Sequence, residues 1–264
     1  MVQIILGEGV EADLGLSALE AEAAADQADA DAETAHLLNG DWKATISRQV
    51  ASKWVKTSVL RQDSRIAQHI PETRIFSPGN LAAMLSRYGK VVMKPVVGTG
   101  GQGVIMIIQS GSTYTIRHRK QVSQYSSFNK MAAAVGVIRR KRSYLVQRGI
   151  HLATIGGRPI DYRVKVVKER GKWVTRSMVG RLANPGMFVT NLCRGGTMLS
   201  SAEGIRRSLS GSMVRRKKNE MRHITSISIK LLERYFPGVG QLGFDYGFDT
   251  SGRLWIFEVN TKPH

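Results

Sequence analysis

A glycine-rich segment, VVMKPVVGTGGQGVIMI at residues 91–107, constrains the fold of this chain more than any other stretch. Gly98, Gly100 and Gly103 match the spacing of a dinucleotide-binding loop, but that loop must run into a helix whose N-terminus holds the pyrophosphate. Apolar and β-branched residues follow Gly103 directly, so the segment predicts a strand, a glycine turn and a second strand. A P-loop is also excluded, because the turn ends in Gln-Gly-Val instead of Gly-Lys-Ser/Thr.

A hairpin with such a turn covers the ATP phosphates in protein kinases, but the other kinase motifs are missing from this sequence. The tripeptides H-R-D and D-F-G do not occur, and the strand lysine, Lys94, precedes the glycines instead of following them. Two interpretations remain from the residues alone. The turn is a mobile flap whose backbone amides approach phosphate, with Lys94 supplying positive charge, or it is an ordinary hairpin beside a surface lysine.

Charge is distributed unevenly along the chain. Ten of the 20 acidic residues lie between Glu8 and Asp41, and no Lys or Arg precedes Lys43, so residues 1–42 carry −10 and the rest +29, from 39 basic minus 10 acidic residues. A body this basic attracts polyanions such as nucleic acid, nucleotides or an acidic peptide. The acidic, Ala-rich arm at 1–42 is either solvated and partly disordered, or a cover for a basic surface and a handle for a partner.

Composition excludes several classes of protein. With 264 residues, a hydrophobic content of 42% and only 7 prolines, the chain is globular and not disordered. No run approaches the roughly 18 consecutive apolar residues of a membrane span, and no secretory signal is visible. Cys193 is the only cysteine, which excludes an intramolecular disulfide and suits a reducing compartment. A cytoplasmic protein is therefore expected.

Hydrophobic periodicity predicts a mixed α+β chain with antiparallel hairpins, not the regular βαβ units of a Rossmann domain. In the acidic arm, helix propensity is good, and Leu14, Ala18 and Ala21 share a helical face. Further helices are expected within 42–63, at 78–89, at 126–138 and at about 213–236. Strands are expected at 91–97, 104–110, 113–118, 144–150, 161–169, 172–183, 241–249 and 253–260.

The last predicted hairpin, LGFDYGFDTSGRLWIFEVN, carries a candidate metal site. Asp245 and Glu258 lie on adjacent strands, and Asn260 faces the same side as Glu258 because residues i and i+2 of a strand share a face. A set of Asp, Glu and Asn oxygens is what Mg²⁺ prefers. The alternative is that the carboxylates pair with local Lys or Arg. Asp249 is better explained by the turn beside Gly252 than as a ligand.

Several motifs in a fixed order resemble the ATP-grasp superfamily, and most closely its YheC/YheD-like branch, described as endospore coat-associated. They cover about residues 43–264 and comprise SKWVKTSVL, IPETRIFS, KPVVGTGGQGV, YLVQRGI, RPIDYRVKVV, RLANPGMFVTNLCRGG and LGFDYGFD…EVNTKP. The resemblance implies an α+β, ATP-grasp fold: two α+β subdomains with antiparallel sheets that hold ATP between them, after an acidic helical or disordered arm. The implied segments are the arm at 1–42, a subdomain with lysine and glycine flap at 43–142, and a subdomain with adenine hinge and carboxylates at 143–264.

The resemblance also assigns roles to individual residues. Adenine would be recognised by the backbone of a hinge, Gln147, Arg148, Gly149 and Ile150. The ATP phosphates would be bound by two lysines, Lys53 and Lys94, and by the glycine flap, Gly98, Gly100, Gly101 and Gly103. Phosphate or a substrate carboxylate would be met by Arg163 and Arg181, Asn191 would lie near the γ-phosphate, and one or two Mg²⁺ ions would be held by Asp245, Glu258 and Asn260.

Alternatives stay open at several of these positions. Lys53 is either a phosphate ligand or a solvated helix lysine, and Lys56 is its rival for the role. Arg163 and Arg181 are either site residues or ordinary surface and ion-pair residues. Asp161 is expected to orient Arg163 and not to act in the chemistry.

The function implied by the resemblance is ATP- and Mg²⁺-dependent ligation of a carboxylate to an amine or another nucleophile through an acylphosphate. The carboxylate-bearing substrate is expected to be an acidic peptide, polymer or amino acid, which the basic body would attract. The alternatives are a catalytically silent protein with a structural or spore-coat role, phosphoryl transfer to a small molecule, and a nucleic-acid-binding protein built on the basic runs RHRK, RRKR and RRKK. The interleaved aromatic residues of a base-stacking platform are missing from those runs.

Two departures from the family pattern bear on the acceptor side of the reaction. Relatives usually carry a separate N-terminal α/β domain, which 42 acidic residues do not replace, and they usually continue beyond the position of His264. A reduced or truncated member is therefore expected, with part of its acceptor site missing or supplied by a partner.

Overall fold

The computed structural model describes residues 8–38, 51–98, 100–190 and 195–261, and within the first helix the side chains at 15–32 and 35. The chain forms two compact units, each assembled from three separated segments. The first unit comprises Met1–Asp31, Glu72–Val96 and Gln102–Gly149, and the second comprises Ala32–Pro71, Val97–Gly101 and Ile150–His264, as far as these residues are described. The expected boundaries at 42 and 142 are linear, and the units interleave along the chain.

A six-stranded antiparallel sheet forms the centre of the first unit, with strand order β1-β6-β2-β3-β4-β5. Its strands are β1 (Thr73–Ile75), β2 (Lys90–Pro95), β3 (Ile105–Ser110), β4 (Thr113–His118), β5 (Gln121–Tyr125) and β6 (Tyr144–Arg148). The helices of the first unit are α4 (Pro78–Tyr88), α5 (Phe128–Arg139) and the part of α1 (Glu8–Leu38) that ends at Asp31. Strand β5 was not predicted, because its side chains are mostly exposed and show no apolar alternation.

Burial alternates along β2 and separates a core face from a polar face. Val91 and Met93 are fully buried and join the apolar core of the first unit. Lys94 and, across the β2–β6 ladder, Gln147 lie on the opposite face, because side chains alternate along a strand. The predicted helix at 78–89 is confirmed: Ser77 caps its N-terminus, and Gly89 ends it in the left-handed conformation.

The second unit contains a six-stranded antiparallel sheet, in which five strands have the order β10-β9-β8-β11-β12 and the short strand β7 pairs with β8. The strands are β7 (Thr154–Ile155), β8 (Arg158–Glu169), β9 (Lys172–Leu182), β10 (Thr197–Ser200), β11 (Gln241–Phe248) and β12 (Leu254–Asn260). Its helices are α2 (Lys53–Leu60), α3 (Ser64–Ala67), α6 (Ser201–Ser208) and α7 (Val214–Tyr235). The two predicted hairpins and the long helix are thereby confirmed.

One face of the second sheet is apolar and the other is polar. Tyr162, Val164, Phe244 and Tyr246 are fully buried in the core, against which α7 packs through residues such as Met221. The intervening positions of β8 and β11 point away from that core. The strands therefore place Asp161, Arg163 and Asp245 together on the polar face.

Helix α1 lies against α5 in the first unit, so the acidic arm is helical there. Its Leu19 methyl groups stand beside Gly136, where an added Cβ would come within 3.2 Å of them. Ala23 is buried, whereas Ala18 and Ala21, two of the residues predicted to share a helical face, are exposed. Close approach at Gly136 and the ion pairs of Glu22 and Asp26 with Arg139 of α5 select the buried face of the helix.

Across the described ranges 8–38, 51–98, 100–190 and 195–261, no helix combines the length and the apolar character needed to cross a membrane.

Candidate functional site

Lys94 and Gln147 meet on the polar face of the first sheet. Lys94 Nζ donates a 2.8 Å hydrogen bond to Gln147 Oε1, and Gln147 Nε2 donates a 3.0 Å bond to the hydroxyl of Thr73. Gln147 is buried, and its amide is fixed in place because both its oxygen and its nitrogen are hydrogen-bonded. A fixed neutral acceptor orients the lysine amine without cancelling its charge, which suits a lysine that binds phosphate.

The expected hinge, residues 147–150, is tied to neighbouring strands through its backbone. The amide of Arg148 donates to the carbonyl of Glu72 and the amide of Gly149 to the carbonyl of Lys90, both at 2.8 Å. Gly149 has no room for a side chain, since a Cβ would lie 2.6 Å from Lys90 Cγ. Two amides of the segment are therefore engaged within the unit, and its recognition of adenine stays a prediction.

The glycine turn has the backbone that its composition predicts. Gly98, Gly100, Gly101 and Gly103 all have positive φ angles, which L side chains adopt only with strain. In the second unit, the carbonyl of Gly98 accepts a 2.5 Å hydrogen bond from Lys53 Nζ. Phosphate binding by these glycines remains a prediction.

Asp245 lies between the two arginines that were expected to act in the site. Arg163 donates to it from both Nε and Nη2, the latter at 3.0 Å, and Arg181 Nη2 donates to its Oδ1 at 2.9 Å. Arg163 and Asp245 are direct cross-strand partners of β8 and β11. The strands thus bring two guanidinium groups to one carboxylate, and the carboxylates Asp161 and Asp245 raise the pKa of Arg181 against the opposing effect of burial.

Asp161 orients a different arginine from the expected one. Its carboxylate accepts hydrogen bonds of 2.7 and 2.6 Å from Arg181 and another from the Thr190 hydroxyl. The expectation that it orients Arg163 is wrong. Asp161 and Arg181 are directly opposite on β8 and β9, where Cβ atoms are about 5 Å apart, whereas positions i and i+2 of one strand are more widely spaced. Thr190 carried no signal in the sequence.

Two lysines of helix α2 face Glu258 on the neighbouring strand β12. Lys53 Nζ lies 3.7 Å from Glu258 Oε1, so both predicted residues are brought together. Lys56, its rival for the role, lies one turn further along the helix and is also buried. Burial lowers the pKa of Lys56 to about 8, opposed by the negative charge of Glu258 and assisted by the positive charge of Lys53.

The predicted metal ligands Asp245, Glu258 and Asn260 lie together on β11 and β12. Asp245 and Glu258 are cross-strand partners, and Asn260 Nδ2 is 3.5 Å from Asp245 Oδ2. Within the described part of the chain, no three His, Cys, Asp or Glu side chains form a metal-binding group. The two carboxylates and the amide are therefore the set to consider, and their oxygens have the chemistry that Mg²⁺ prefers.

Two further predicted residues have different outcomes. Asn191 lies outside the described residues. Asp249 is confirmed as a turn residue: its Oδ1 accepts from the amides of Ser251 and Arg253, and its Oδ2 accepts from Trp255 Nε1, each at 2.9 Å.

The YheC/D like ATP-grasp family model matches residues 43–264 of this chain. Two curated relatives come from Bacillus subtilis (strain 168). Endospore coat-associated protein YheD is 27% identical over 220 residues, which cover 80% of this chain and 48% of that protein. Endospore coat-associated protein YheC is 28% identical over 227 residues, which cover 83% of this chain and 61% of that protein. The chain thus spans less than two thirds of either relative.

Solved structures share the fold at low sequence identity. N5-carboxyaminoimidazole synthase from Aspergillus clavatus, solved with ADP and 5-aminoimidazole ribonucleotide, has a TM-score of 0.51 at 12% identity, covering 82% of this chain and 46% of that chain. The corresponding synthetase from Staphylococcus aureus, complexed with ADP, has a TM-score of 0.52 at 8% identity with the same coverages. These similarities confirm the predicted ATP-grasp fold. With a family match over residues 43–264, the chain belongs to the YheC/D-like ATP-grasp family.

Proposed function

We propose that this chain is an ATP- and Mg²⁺-dependent ligase domain that joins a carboxylate to an amine or another nucleophile. The observation that carries the proposal is the polar face of the second sheet. There Asp245, Glu258 and Asn260 lie beside Arg163 and Arg181. Carboxylate oxygens for a hard cation, next to guanidinium groups for phosphate, are the parts that phosphoryl transfer needs.

Two lysines, the glycine turn and the expected hinge are assigned to the nucleotide. Lys53 and Lys94 would bind phosphate oxygens, the glycine turn would approach the phosphates with its backbone, and residues 147–150 would contact adenine. The ADP present in the synthetase structures from Aspergillus clavatus and Staphylococcus aureus supports a nucleotide as the ligand of this fold.

The metal assignment rests on the donor set of the second unit. Asp245, Glu258 and Asn260 would hold Mg²⁺, which supplies charge neutralisation to phosphate oxygens when bound. When no metal ion is bound, the two carboxylates are paired with the positive side chains of Arg163, Arg181 and Lys53. The same cations would be available to phosphate and substrate oxygens.

The proposed reaction has two steps that balance. An oxygen of the substrate carboxylate attacks the γ-phosphorus, the bond to the β-phosphate oxygen breaks, and ADP leaves with that electron pair. An amine then attacks the acyl carbon of the acylphosphate, phosphate leaves, and the amine nitrogen loses a proton. Arg163 and Arg181 stabilise the negative charge on the transferred group, so no side-chain nucleophile is required. An acidic peptide or amino acid suits the +29 charge of residues 43–264.

A second candidate is an ATP-grasp domain that has a structural role, such as in a spore coat, without turnover. The bonds from both arginines to Asp245 favour it, because they already occupy a carboxylate that the ligase would use for metal. The names of the two Bacillus subtilis relatives, both endospore coat-associated, favour it as well.

Mg²⁺-dependent ADP release in the presence of acidic peptides or amino acids, with mass spectrometry of the products, tests the ligase. Glu258→Gln is expected to reduce turnover by about 100-fold or more while circular dichroism shows an unchanged fold. A substrate carboxylate labelled with heavy oxygen should transfer one label to the released phosphate, since the carboxylate oxygen remains on phosphorus.

Glu233→Gln is the matched control, because Glu233 lies on α7 and pairs with the half-exposed Lys168. Turnover of this control should equal that of the wild type. Turnover in Glu258→Gln equal to that of the wild type would contradict the metal assignment. ATP binding without turnover in the wild type would favour the structural role.

A further inference from the structure

A basic surface of the first unit, which we name the acid-docking surface, consists of Gly136, Arg139 and Ser143. Helix α1 covers it. Arg139 Nη2 donates to Glu22 at 2.5 Å, and Ser143 Oγ donates to Asp26 Oδ1 at 2.6 Å. All of these residues belong to the same unit, and none of them belongs to the proposed nucleotide or metal site.

Arg139 also has contacts outside α1 that hold it in place. It is fully buried, its guanidinium stacks 4.7 Å from the Phe76 ring centroid, and its Nη1 donates a 2.7 Å bond to the carbonyl of Arg142. A guanidinium cannot discharge by losing its proton, so a buried one needs an anionic partner. In the covered surface, Glu22 and Asp26 of α1 are the acids that pair with this guanidinium.

Arg139 and Ser143, the two hydrogen-bond donors, fit a particular spacing of acidic residues on a helix. Glu22 and Asp26 are four residues apart, so their carboxylates lie one turn apart on one face. Leu19 precedes them on that face and fits beside Gly136, where there is no Cβ to block it. Ala23 is buried between the two acids. The surface thus fits an α-helix with the pattern Leu-x-x-Glu-Ala-x-x-Asp, not an extended polyanion.

Helix α1 satisfies this surface only in part. Asp26 Oδ2 is buried without a hydrogen bond and lies 3.6 Å from Arg139 Nη1, and Arg139 Nε also has no hydrogen-bond partner among the described residues. The apolar contacts of α1 are made by small or partly buried side chains such as Leu19 and Ala23. A ligand that also satisfies the buried Arg139 Nε would compete with α1 for the surface.

We propose that the acid-docking surface binds an acidic α-helix of a partner protein, and that α1 is its intramolecular occupant. The acid-docking surface adjoins residues that are hydrogen-bonded to the glycine turn. The carbonyl of Ser143 accepts from the amide of Val96, and the hydroxyl of Tyr144, the next residue, donates to the carbonyl of Gly103, both at 2.9 Å. A partner helix that replaces α1 therefore binds against the residues that anchor both ends of this turn.

The test uses the full chain and a fluorescent peptide of residues 11–38 as the acidic helix. Tethering gives α1 an effective concentration of the order of millimolar, so the wild type binds the added peptide weakly. Glu22→Gln with Asp26→Asn weakens the intramolecular contact and is expected to tighten peptide binding at least about tenfold, measured by fluorescence anisotropy. The matched control is Glu20→Gln with Asp29→Asn, which removes two exposed charges of α1 and should leave peptide binding as in the wild type.

Two further measurements identify which groups the acid-docking surface recognises. A peptide carrying the same Glu22→Gln and Asp26→Asn changes should bind the weakened chain at least about tenfold less tightly. Ser143→Ala in the weakened chain should also reduce binding of the unchanged peptide, and this variant avoids the folding risk of replacing buried Arg139. The proposal is overturned if the two chain variants bind the peptide equally. It is also overturned if a single-stranded oligonucleotide shows the same gain as the peptide, because the uncovered surface would then respond to negative charge alone.

Discussion

In the first unit, Lys94 donates to the neutral amide oxygen of Gln147, whereas in the second unit Asp245 lies between two arginines and Glu258 faces a lysine. Both arrangements occupy the polar face of an antiparallel sheet whose other face is core. The hydrogen bond to Gln147 positions the amine of Lys94 and does not itself neutralise its charge. The second arrangement gives each carboxylate a cation on a neighbouring strand or helix, so that charges are balanced inside the unit.

The difference separates two uses of charge. A neutral partner adds little to folding, and the charge that it orients remains effective toward a ligand. A buried ion-pair network stabilises the fold only while every member is present, because removal of one partner leaves a desolvated charge. Substitutions in the first unit should therefore act mainly on binding, and those in the second should act on stability as well.

The largest effect is expected from Asp161→Ala. Arg181 would lose both of its short hydrogen bonds to Asp161, and Thr190 would lose its acceptor, in a region where Asp161 and Arg181 are almost completely buried. The free energy of unfolding should fall by about 3 kcal/mol, measured by urea denaturation.

Glu169→Gln is the control for an exposed pair in the same sheet. Glu169 pairs with Arg176, and both side chains are exposed, so the change should be within about 0.5 kcal/mol. If the two variants lose the same stability, burial does not distinguish the network and the comparison between the units fails.

The second effect is expected from Lys94→Met in the first unit. Loss of a charged hydrogen-bond donor should weaken ATP and ADP binding by about 10- to 100-fold, or roughly 1.5–3 kcal/mol, with little change in stability. Isothermal titration calorimetry gives the dissociation constant, and urea denaturation gives the stability. Lys120→Met removes an exposed lysine of the same unit and should leave both values unchanged. Nucleotide binding that is equal in the two variants would contradict the assignment of Lys94.

Sequence periodicity predicted the parts of the site that depend on a single strand. Alternation along β12 was enough to place Glu258 and Asn260 on one face, and the apolar, β-branched residues after Gly103 were enough to exclude a following helix. Asp245 was predicted to lie opposite them, but this pairing depends on a bulge between Asp245 and Tyr246 that shifts the register set by the turn by one residue, and no sequence pattern indicated that bulge.

Features that depend on the packing of distant segments were not predicted. The pairing of Asp161 with Arg181 requires the register of β8 against β9, and spacing along one strand suggested Arg163 instead. The buried face of α1 is set by Gly136 and Arg139, more than 100 residues away, and the Ala-rich helix has too weak an apolar pattern to reveal it. Engagement of the hinge amides likewise depends on strands that meet only in the folded unit.

The smallest effect is a change in the free energy of unfolding expected from Lys56→Met. It tests whether burial of this lysine beside Glu258 destabilises the second unit. Burial lowers the pKa of Lys56 to about 8, so the unfolded chain holds this proton more tightly and stability rises with pH from about 8 toward the ordinary value of 10.5. Replacement by Met should therefore stabilise the protein by about 1 kcal/mol at pH 7, and the gain should disappear near pH 10. Lys230→Met, at an exposed position of α7, should show no such pH dependence in the same urea titrations. A destabilised Lys56→Met at pH 7 would mean that attraction to Glu258 outweighs desolvation, and that Lys56 balances the carboxylate in the way that Arg181 balances Asp245.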